Sequence, residues 1–230
     1  MAIAVVLLVV LAIGAGPGGL GARVVRAVAG SPAVDLDGPL PACRIDDIPA
    51  IHAAPADWAR TLLDPIFSLT SDDIPADLVP TSEAGIRGGG SIRLVVIDDL
   101  RNMTLAAAED GVTLRVESAY RSYEDQISTF ASLEHAYGRA VAESSAARPG
   151  HSEHQLGTTI DFAGGERWLA ANAWRFGFVM SYPADRSPRY TCYKAEAWHF
   201  RGVGRPVAAA VHASGLSLRE WLWLHAEEVP

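Results

Sequence analysis

The sequence has little of the residue patterns that mark several large classes of protein. Its 19 Lys and Arg residues are outnumbered by 27 Asp and Glu residues, which gives a net charge of −8. A chain this acidic lacks the basic face that nucleic-acid binding requires. The glycine run at 88–90 has no lysine of a phosphate-binding loop, and we interpret it as a linker. We therefore expect no nucleic-acid partner and no phosphate-binding loop.

Cysteine is also scarce, since Cys43 and Cys192 are the two present. An even number of cysteines in an exported chain is typical of a single disulfide. Two unpaired buried thiols are the alternative. We favour the disulfide, which would fix the amino-terminal part of the chain beside the segment that precedes Glu196.

A hydrophobic run long enough to span a membrane is missing as well. Residues 2–22 carry no charge, and the dense apolar stretch at 2–13 has the length of a signal-peptide core. Arg23 and Arg26 follow this stretch and no basic residue precedes it, which by the positive-inside rule disfavours export. We still expect an exported protein, in the cell envelope or secreted. Residues 1–29 would then be a cleaved signal peptide or a membrane anchor through residues 2–22.

The rest of the chain divides by composition into two parts. Residues 30–90 are rich in proline and aspartate, and we expect a partly ordered extension that ends in the glycine linker. Residues 91–230 carry the periodic hydrophobic patterns of regular structure. Helical patterns cover 91–110, the segment after a capping pair at Ser122 and Asp125, 167–176 and the tail from 216, and β-rich runs cover 112–120, 158–162, 178–182 and 197–203. This mixture predicts an α+β fold with a small antiparallel sheet flanked by helices.

Two short segments hold the residue types that a catalytic zinc site needs. A site of this kind uses three protein ligands, an open position for water and a carboxylate that can take the water's proton. His154, Asp161 and His199 supply the three candidate ligands, and Glu196 is left as the candidate base. Either histidine taken alone would more often be a surface or a core residue. Their combination favours the metal site.

The spacing of these residues constrains the backbone around them. In a straight strand His154 and Asp161 would lie about 23 Å apart, whereas donor atoms that share one zinc each lie about 2 Å from it. The chain must therefore turn back between them, and Gly157 is the expected place because glycine accepts a positive φ. Glu196 and His199 are three residues apart, so on one strand they would face opposite sides. We expect Glu196 at a turn before a strand that contains Trp198 and His199.

Both segments resemble the zinc D,D-carboxypeptidases of the VanY type, which are related to D-Ala-D-Ala dipeptidases and to the Hedgehog amino-terminal domain. Residues 152–161 match the pattern Ser-x-His-x-x-Gly-x-x-x-Asp, and residues 196–199 match Glu-x-Trp-His. A third matching segment, 118–126, contains an arginine and a glutamine that line the substrate site in such enzymes. The resemblance covers roughly residues 91–205. It implies the fold of the Hedgehog and D,D-peptidase group and Zn²⁺ as the cofactor.

The resemblance also implies roles for residues around the metal. Glu196 would be the general base, and Arg121 would stabilise the negative charge that develops on the attacked carbonyl oxygen. Ser152 would contact the terminal carboxylate of the substrate. Gln126 would face either the pocket or water, and Trp198 would wall the pocket, pack into the core, or do both.

The implied activity is that of an exported metallopeptidase that removes the terminal D-alanine from peptidoglycan stem peptides. A D,D-dipeptidase, an L,D-carboxypeptidase and an endopeptidase on the same scaffold are alternatives, because the metal chemistry does not distinguish them. A non-catalytic cell-wall binding module with a structural zinc is a further alternative. Retention of Glu196 and Arg121 favours an enzyme. The sequence makes no prediction of the oligomeric state.

Overall fold

The protein is described here by a computed structural model that covers residues 24–25, 34–35 and 38–227. The predicted signal peptide or membrane anchor at residues 1–29 lies outside these described residues except for positions 24–25. Within the described part of the chain, no helix has both the length and the apolar character needed to cross a membrane.

Short strands and helices alternate along the chain. The strands are β1 (Val24–Val25), β2 (Val34–Asp35), β3 (Ile48–Pro49), β4 (Phe67–Ser68), β5 (Leu78–Pro80), β6 (Arg87–Gly88), β7 (Ser91–Arg93), β8 (Arg115–Ser118), β9 (Thr159–Ala163), β10 (Phe178–Met180) and β11 (His199–Gly202). The α-helices are α1 (Ile97–Glu109), α2 (Tyr123–Tyr137), α3 (Arg139–Ser145), α4 (Glu166–Asn172), α5 (Pro188–Thr191), α6 (Arg205–Ser214) and α7 (Leu218–Leu224).

The central sheet has five strands in the order β10-β11-β9-β8-β6. Its neighbours pair antiparallel except for β6 and β8, which are parallel. Helix α1 covers one face of the sheet, and its buried residues follow the helical spacing that predicted it. The resulting core holds Leu100 and Met103 of α1 against Phe162, Phe178 and Phe200 of the sheet. The α+β class expected from the sequence is confirmed, with one parallel pair in a sheet that was expected to be antiparallel.

The start of α2 follows the predicted capping pair. The hydroxyl of Ser122 accepts a hydrogen bond of 3.0 Å from the backbone N–H of Asp125, which satisfies a donor left free at the helix start. The prediction of a helix from residue 91 is wrong for its first six residues. Residues 91–93 form β7, which pairs with β5, and residues 94–96 form a single 3₁₀ turn. Pairing with a distant strand here overrides the local helical period.

The segment before the sheet is built into the folded body rather than extended from it. Ile66 and Phe67 lie in a second core together with Trp221 and Trp223 of α7. The indole N–H of Trp223 donates a hydrogen bond of 3.0 Å to the backbone oxygen of Gly38. Segment 38–69 therefore packs against the carboxy-terminal helix.

One residue of the glycine run interpreted as a linker belongs instead to the sheet. Gly88 lies in β6 and pairs with Val116 of β8. It has a φ of +114°, and a Cβ atom placed on it would lie 2.1 Å from the backbone oxygen of Val116. A side chain cannot fit at that distance, so glycine is required here by close backbone approach and by φ.

We expect Gly88→Ala to destabilise the protein because the added methyl group must displace β6 from β8. The cost should be about 1–3 kcal/mol in free energy of unfolding, as for other overpacked sites. Gly89→Ala is the matched control, since nothing lies within 4 Å of its added Cβ, and it should change stability by less than about 0.5 kcal/mol. Urea unfolding of both variants measures the difference. Equal stability of the two variants would contradict the close-approach argument.

Cys43 and Cys192 form a disulfide, as the sequence predicted. Cys192 has a positive φ of 65° and lies four residues before Glu196. The bond therefore ties the amino-terminal segment to the loop that leads into the second motif.

Candidate metal centre and active site

The pairing of two strands brings Asp161 and His199 together. Strands β9 and β11 are antiparallel neighbours, and Asp161 lies directly opposite His199 in their register. Directly opposite residues on one face have Cβ atoms about 5 Å apart. In the structure, an Asp161 carboxylate oxygen lies 3.1 Å from Nδ1 of His199. Strand pairing thus brings into contact two residues that are 38 positions apart in the sequence.

A tight turn brings His154 to the same point. Residues Glu153–Leu156 form a 3₁₀ helix that ends at Gly157, which has the left-handed φ of 70°. The chain reverses there and enters β9, as predicted from the need to fold His154 back. Nε2 of His154 then lies 3.2 Å from the other carboxylate oxygen of Asp161.

The donor atoms of His154, Asp161 and His199 all lie within 4.8 Å of one another. Zinc ligands at about 2.0–2.2 Å from a shared ion are separated by distances below this bound. Two imidazole nitrogens and one carboxylate oxygen also match the ligand chemistry that zinc prefers. The residues present therefore fit a single zinc ion with one position left for a non-protein ligand.

Hydrogen bonds at the far side of each ring select which nitrogen faces this point. Nδ1 of His154 lies 2.7 Å from the backbone oxygen of Ala119, and a carbonyl oxygen can only accept, so Nδ1 carries the proton. Nε2 of His199 lies 2.9 Å from a carboxylate oxygen of Glu153, so by the same argument this nitrogen is protonated. In neutral rings, which metal binding requires, the lone pairs of Nε2 of His154 and Nδ1 of His199 lie on the side of Asp161. Without a metal, the raised pKa of His199 means that its Nδ1 carries a second proton, which it donates to Asp161.

Burial and the close carboxylates shift the pKa values of the site in opposite directions. Burial lowers the pKa of His154, although Asp161 opposes that change. Burial also disfavours protonated His199, but hydrogen bonds to Asp161 and Glu153 outweigh it and raise the pKa of His199 to about 10. Burial would raise the pKa of Asp161, yet its close contacts with His154 and His199 hold that pKa well below its usual range. The site is therefore strongly attractive to positive charge.

Glu196 lies beside the three candidate ligands without belonging to their cluster. One of its carboxylate oxygens is 3.5 Å from Nδ1 of His199, and its backbone N–H donates to the carbonyl of Tyr182. Burial raises the pKa of Glu196, and the negative charges of Asp161 and Glu153 act in the same direction, against the charges of His199 and Arg121. The predicted turn follows at residues 197–198, and the strand begins at His199, so Trp198 lies in the turn rather than in the strand.

A cavity of about 250 Å³ opens over these groups. Besides the candidate ligands and Glu196, it is lined by Arg121, Gln126, Ser152 and Trp198, the other residues predicted for the site. The Trp198 side chain is 45% exposed, so it forms part of the wall and does not pack into the core. The sequence therefore identified a set of residues that the fold does bring together.

Arg121 is held in place at the cavity by two hydrogen bonds. One guanidinium nitrogen donates to the side-chain oxygen of Gln126 at 2.9 Å, and another donates to the hydroxyl of Ser118 at 3.1 Å. Gln126 is buried and in turn donates to the backbone oxygen of Ala147 at 2.6 Å. The alternative in which Gln126 faces water is wrong. Its contacts instead fix the position of Arg121.

Sequence reasoning missed several residues that shape this site. Tyr182 and Tyr193 line the cavity, and burial raises the pKa of each phenol, so both remain neutral. Glu153 and Arg201 form a buried ion pair behind His199. The signal for Arg201 was present, because residues two apart on a strand face the same side. An arginine two positions after a candidate ligand was therefore expected on the same face of the sheet as that ligand.

The fold and this site define a class of protein: a helix-flanked sheet that carries a candidate mononuclear metal centre at the base of a small cavity. The family model described as VanY, D-alanyl-D-alanine carboxypeptidase, matches residues 90–205. The chain belongs to the VanY family.

Individual relatives agree with this assignment. A D-alanyl-D-alanine carboxypeptidase of Enterococcus faecalis (strain ATCC 700802 / V583) is 35% identical over 155 residues, which cover 60% of this chain and 58% of the relative. The vancomycin-resistance D,D-pentapeptidase VanY, solved as a mutant in complex with Zn(II), is 30% identical with a TM-score of 0.64, covering 72% of this chain and 99% of that one. VanYB in complex with D-alanine-D-alanine is 31% identical with a TM-score of 0.64, covering 72% and 97%. The chain spans about half the length of the curated relatives it matches.

The pKa of Glu153 leads to a prediction about stability at low pH. Burial would raise this pKa, but the hydrogen bond with His199 and the charge of Arg201 lower it from 4.5 to about 2. A carboxyl group whose pKa is lower in the folded than in the unfolded protein stabilises the fold at any pH above its unfolded-state pKa. That stability is lost as the pH falls toward and through the folded-state pKa. We expect the melting temperature of the chelator-treated protein to fall between about pH 4.5 and pH 2, and to fall less in Glu153→Gln.

The control for this measurement is Glu117→Gln, because Glu117 is exposed on β8. This variant should keep the pH dependence of the unsubstituted protein. Parallel melting curves for Glu153→Gln and the unsubstituted protein across the same pH range would show that Glu153 does not contribute in this way.

Proposed function

We propose that this protein is a zinc-dependent D,D-carboxypeptidase that hydrolyses the terminal D-Ala-D-Ala bond of peptidoglycan stem peptides. The observation that carries the proposal is the cluster of His154, Asp161 and His199, whose donor atoms lie within 4.8 Å of one another in a chain of the VanY family. The known complexes of VanY with Zn(II) and of VanYB with D-alanine-D-alanine support the metal and the substrate class.

The three clustered side chains would hold the zinc ion. When bound, zinc supplies a Lewis acid and makes water acidic enough to ionise near neutral pH. The hydrogen bonds that His154 donates to the backbone oxygen of Ala119 and that His199 donates to Glu153 fix both rings in the orientation needed for this. Asp161 accepts contacts from both rings and completes the set.

Glu196 is the general base in this proposal. Its carboxylate is near the metal-facing nitrogen of His199 and is free to take a proton from the attacking water. It can then deliver that proton to the departing amine of the terminal residue. Its raised pKa suits this exchange, because a carboxylate with a higher pKa is a stronger base and takes the proton from water more readily.

Arg121 would stabilise the negative charge that develops on the carbonyl oxygen under attack. Its guanidinium stays charged and is already fixed by Gln126 and Ser118, so little reorganisation is needed during the reaction. Ser152 and Trp198 line the same cavity and would contact the substrate. A volume of about 250 Å³ lies below the usual range for larger ligands, which favours small terminal residues such as D-alanine.

Export from the cytoplasm is part of the proposal. The disulfide between Cys43 and Cys192 supports it, since such bonds persist mainly in oxidising compartments. The peptidoglycan substrate would be met there.

The released product tests the proposed reaction. Incubation of the purified chain with a stem pentapeptide ending in D-Ala-D-Ala should release free D-alanine, measured by chromatography. Chelation should abolish release, and added zinc should restore it.

Other products would identify the alternatives. Release of the intact dipeptide would indicate a D,D-dipeptidase, and cleavage only of a tetrapeptide would indicate an L,D-carboxypeptidase. Zinc binding without any turnover would contradict the enzyme proposal and favour a binding module.

Replacement of Glu196 separates the base from the ligands. Glu196→Ala should reduce kcat by about 10²- to 10⁴-fold, the usual contribution of a general base. It should still bind one zinc ion per chain, because Glu196 is outside the ligand cluster. Metal content by atomic absorption and kcat are the two measurements. Glu117→Ala, an exposed substitution on β8, is the control and should change neither; loss of zinc from Glu196→Ala would overturn the role assignment.

A further inference from the structure

Glu153 makes a dense set of contacts behind the candidate metal centre. It lies between Ser152 and His154 in the first motif, and its side chain is almost fully buried. One carboxylate oxygen accepts a hydrogen bond of 2.6 Å from the hydroxyl of Ser181 and lies 2.9 Å from Nε2 of His199. The other accepts a hydrogen bond of 3.1 Å from Arg201. Three donors therefore fix both oxygens of one carboxylate.

These contacts distinguish Glu153 from Glu196. Glu196 faces Nδ1 of His199, the nitrogen that also faces Asp161. Glu153 contacts the opposite nitrogen of the same ring, and both of its oxygens already accept hydrogen bonds. It is therefore poorly suited to be the base, and it is placed to control the ring itself.

Arg201 holds Glu153 from the other side. It lies two residues after His199 on β11 and is fully buried, with 0% of its surface exposed. Its second guanidinium nitrogen donates to the backbone oxygens of Trp58 at 3.1 Å and of Thr61 at 2.7 Å. The amino-terminal segment thus supplies two acceptors that fix Arg201, and Arg201 fixes Glu153.

A contribution to the stability of the fold does not by itself explain a buried ion pair of this kind. Taking both charges out of water costs about as much as their attraction returns, so apolar side chains of similar size would often stabilise a fold equally well. One guanidinium N–H of Arg201 is even buried without a hydrogen-bond partner. The location of the pair offers another explanation, because Glu153 of the pair contacts the candidate metal ligand His199.

We propose that Glu153 is a positioning residue that orients His199 for metal binding, and that Arg201, anchored to the backbone of residues 58 and 61, fixes Glu153. By accepting a hydrogen bond from the N–H at Nε2, Glu153 keeps the proton on that nitrogen and leaves Nδ1 with its lone pair toward the metal. Such outer partners of metal-binding histidines hold the tautomer and the ring angle, and their loss weakens metal binding by about 10- to 100-fold. The inference rests on the metal site of the proposed function, but it is measured by zinc affinity rather than by turnover.

Glu153→Gln tests the proposal with a substitution of equal size. It should weaken zinc binding by about 10- to 100-fold, measured by competition with a chromophoric chelator. The visible absorption spectrum of the cobalt(II)-loaded protein should also change, because it reports the geometry of the ligands. Ser181→Ala keeps the ion pair and removes one hydrogen bond to the same carboxylate, so it should weaken zinc binding by about two- to tenfold.

The matched control is Asp64→Asn. Asp64 accepts a hydrogen bond of 2.6 Å from Arg219 in another buried ion pair, which contains none of the candidate ligands. This variant should lose stability but keep the zinc affinity and the cobalt spectrum of the unsubstituted protein. The folded fraction of each variant is followed by circular dichroism.

Two results would overturn the inference. One is an unchanged zinc affinity in Glu153→Gln, or in Ser181→Ala should the first variant fail to fold. The other is a loss of zinc affinity in Asp64→Asn that matches the loss in Glu153→Gln, since the effect would then follow stability alone. Failure of the unsubstituted chain to bind zinc would instead contradict the proposed function, and zinc binding without hydrolysis would leave the role of Glu153 intact.

Discussion

The antiparallel pairing of β9 with β11 places Asp161 directly opposite His199, and the other features of the site are arranged around that register. Strand alternation points His199 and Arg201 to one face and Phe200 to the other, where Phe200 packs against Phe162 in the core. A slip of one residue would exchange the two faces, so the ligand would enter the core and the phenylalanine would enter the site. The hydrophobic packing that stabilises the sheet therefore also specifies the position of the metal ligand.

Two carboxylates at the site each lie between defined partners. Asp161 lies between two imidazoles, and Glu153 lies between an imidazole and Arg201. Several of these partners come from outside the region that matches the VanY family model. The carbonyls of Trp58 and Thr61 and the disulfide at Cys43 all lie before residue 90. The amino-terminal segment is thus an integral part of the site's support, although the motifs themselves lie elsewhere.

The sequence predicted the residues of the site better than it predicted what surrounds them. His154, Asp161 and His199 could be found because metal chemistry restricts residue types, and Gly157 could be assigned to a turn because the ligands had to meet. The support of Glu153 by Arg201 was not predicted, because a contact between residues 48 apart depends on how β9 and β11 pair and on where the preceding turn points.

The fold shows the same division between local and distant determinants. Helix α2 was predicted from its cap and its periodicity, which are local signals. Residues 91–93 were assigned to the wrong element because their conformation is set by pairing with β5. Gly88 was included in a predicted linker, although its conformation is set by pairing with β8. The packing of Phe67 against Trp223 is likewise a contact between distant parts of the chain. Such pairings leave little trace in a local pattern of residues.

X-ray absorption at the zinc edge of the loaded protein tests the central claim most directly. The account predicts one zinc ion per chain, bound by two imidazole nitrogens and one carboxylate oxygen at about 2.0–2.2 Å, with a further oxygen from solvent and no sulfur. A spectrum showing sulfur ligands, or lacking the scattering of two imidazole rings, would contradict it.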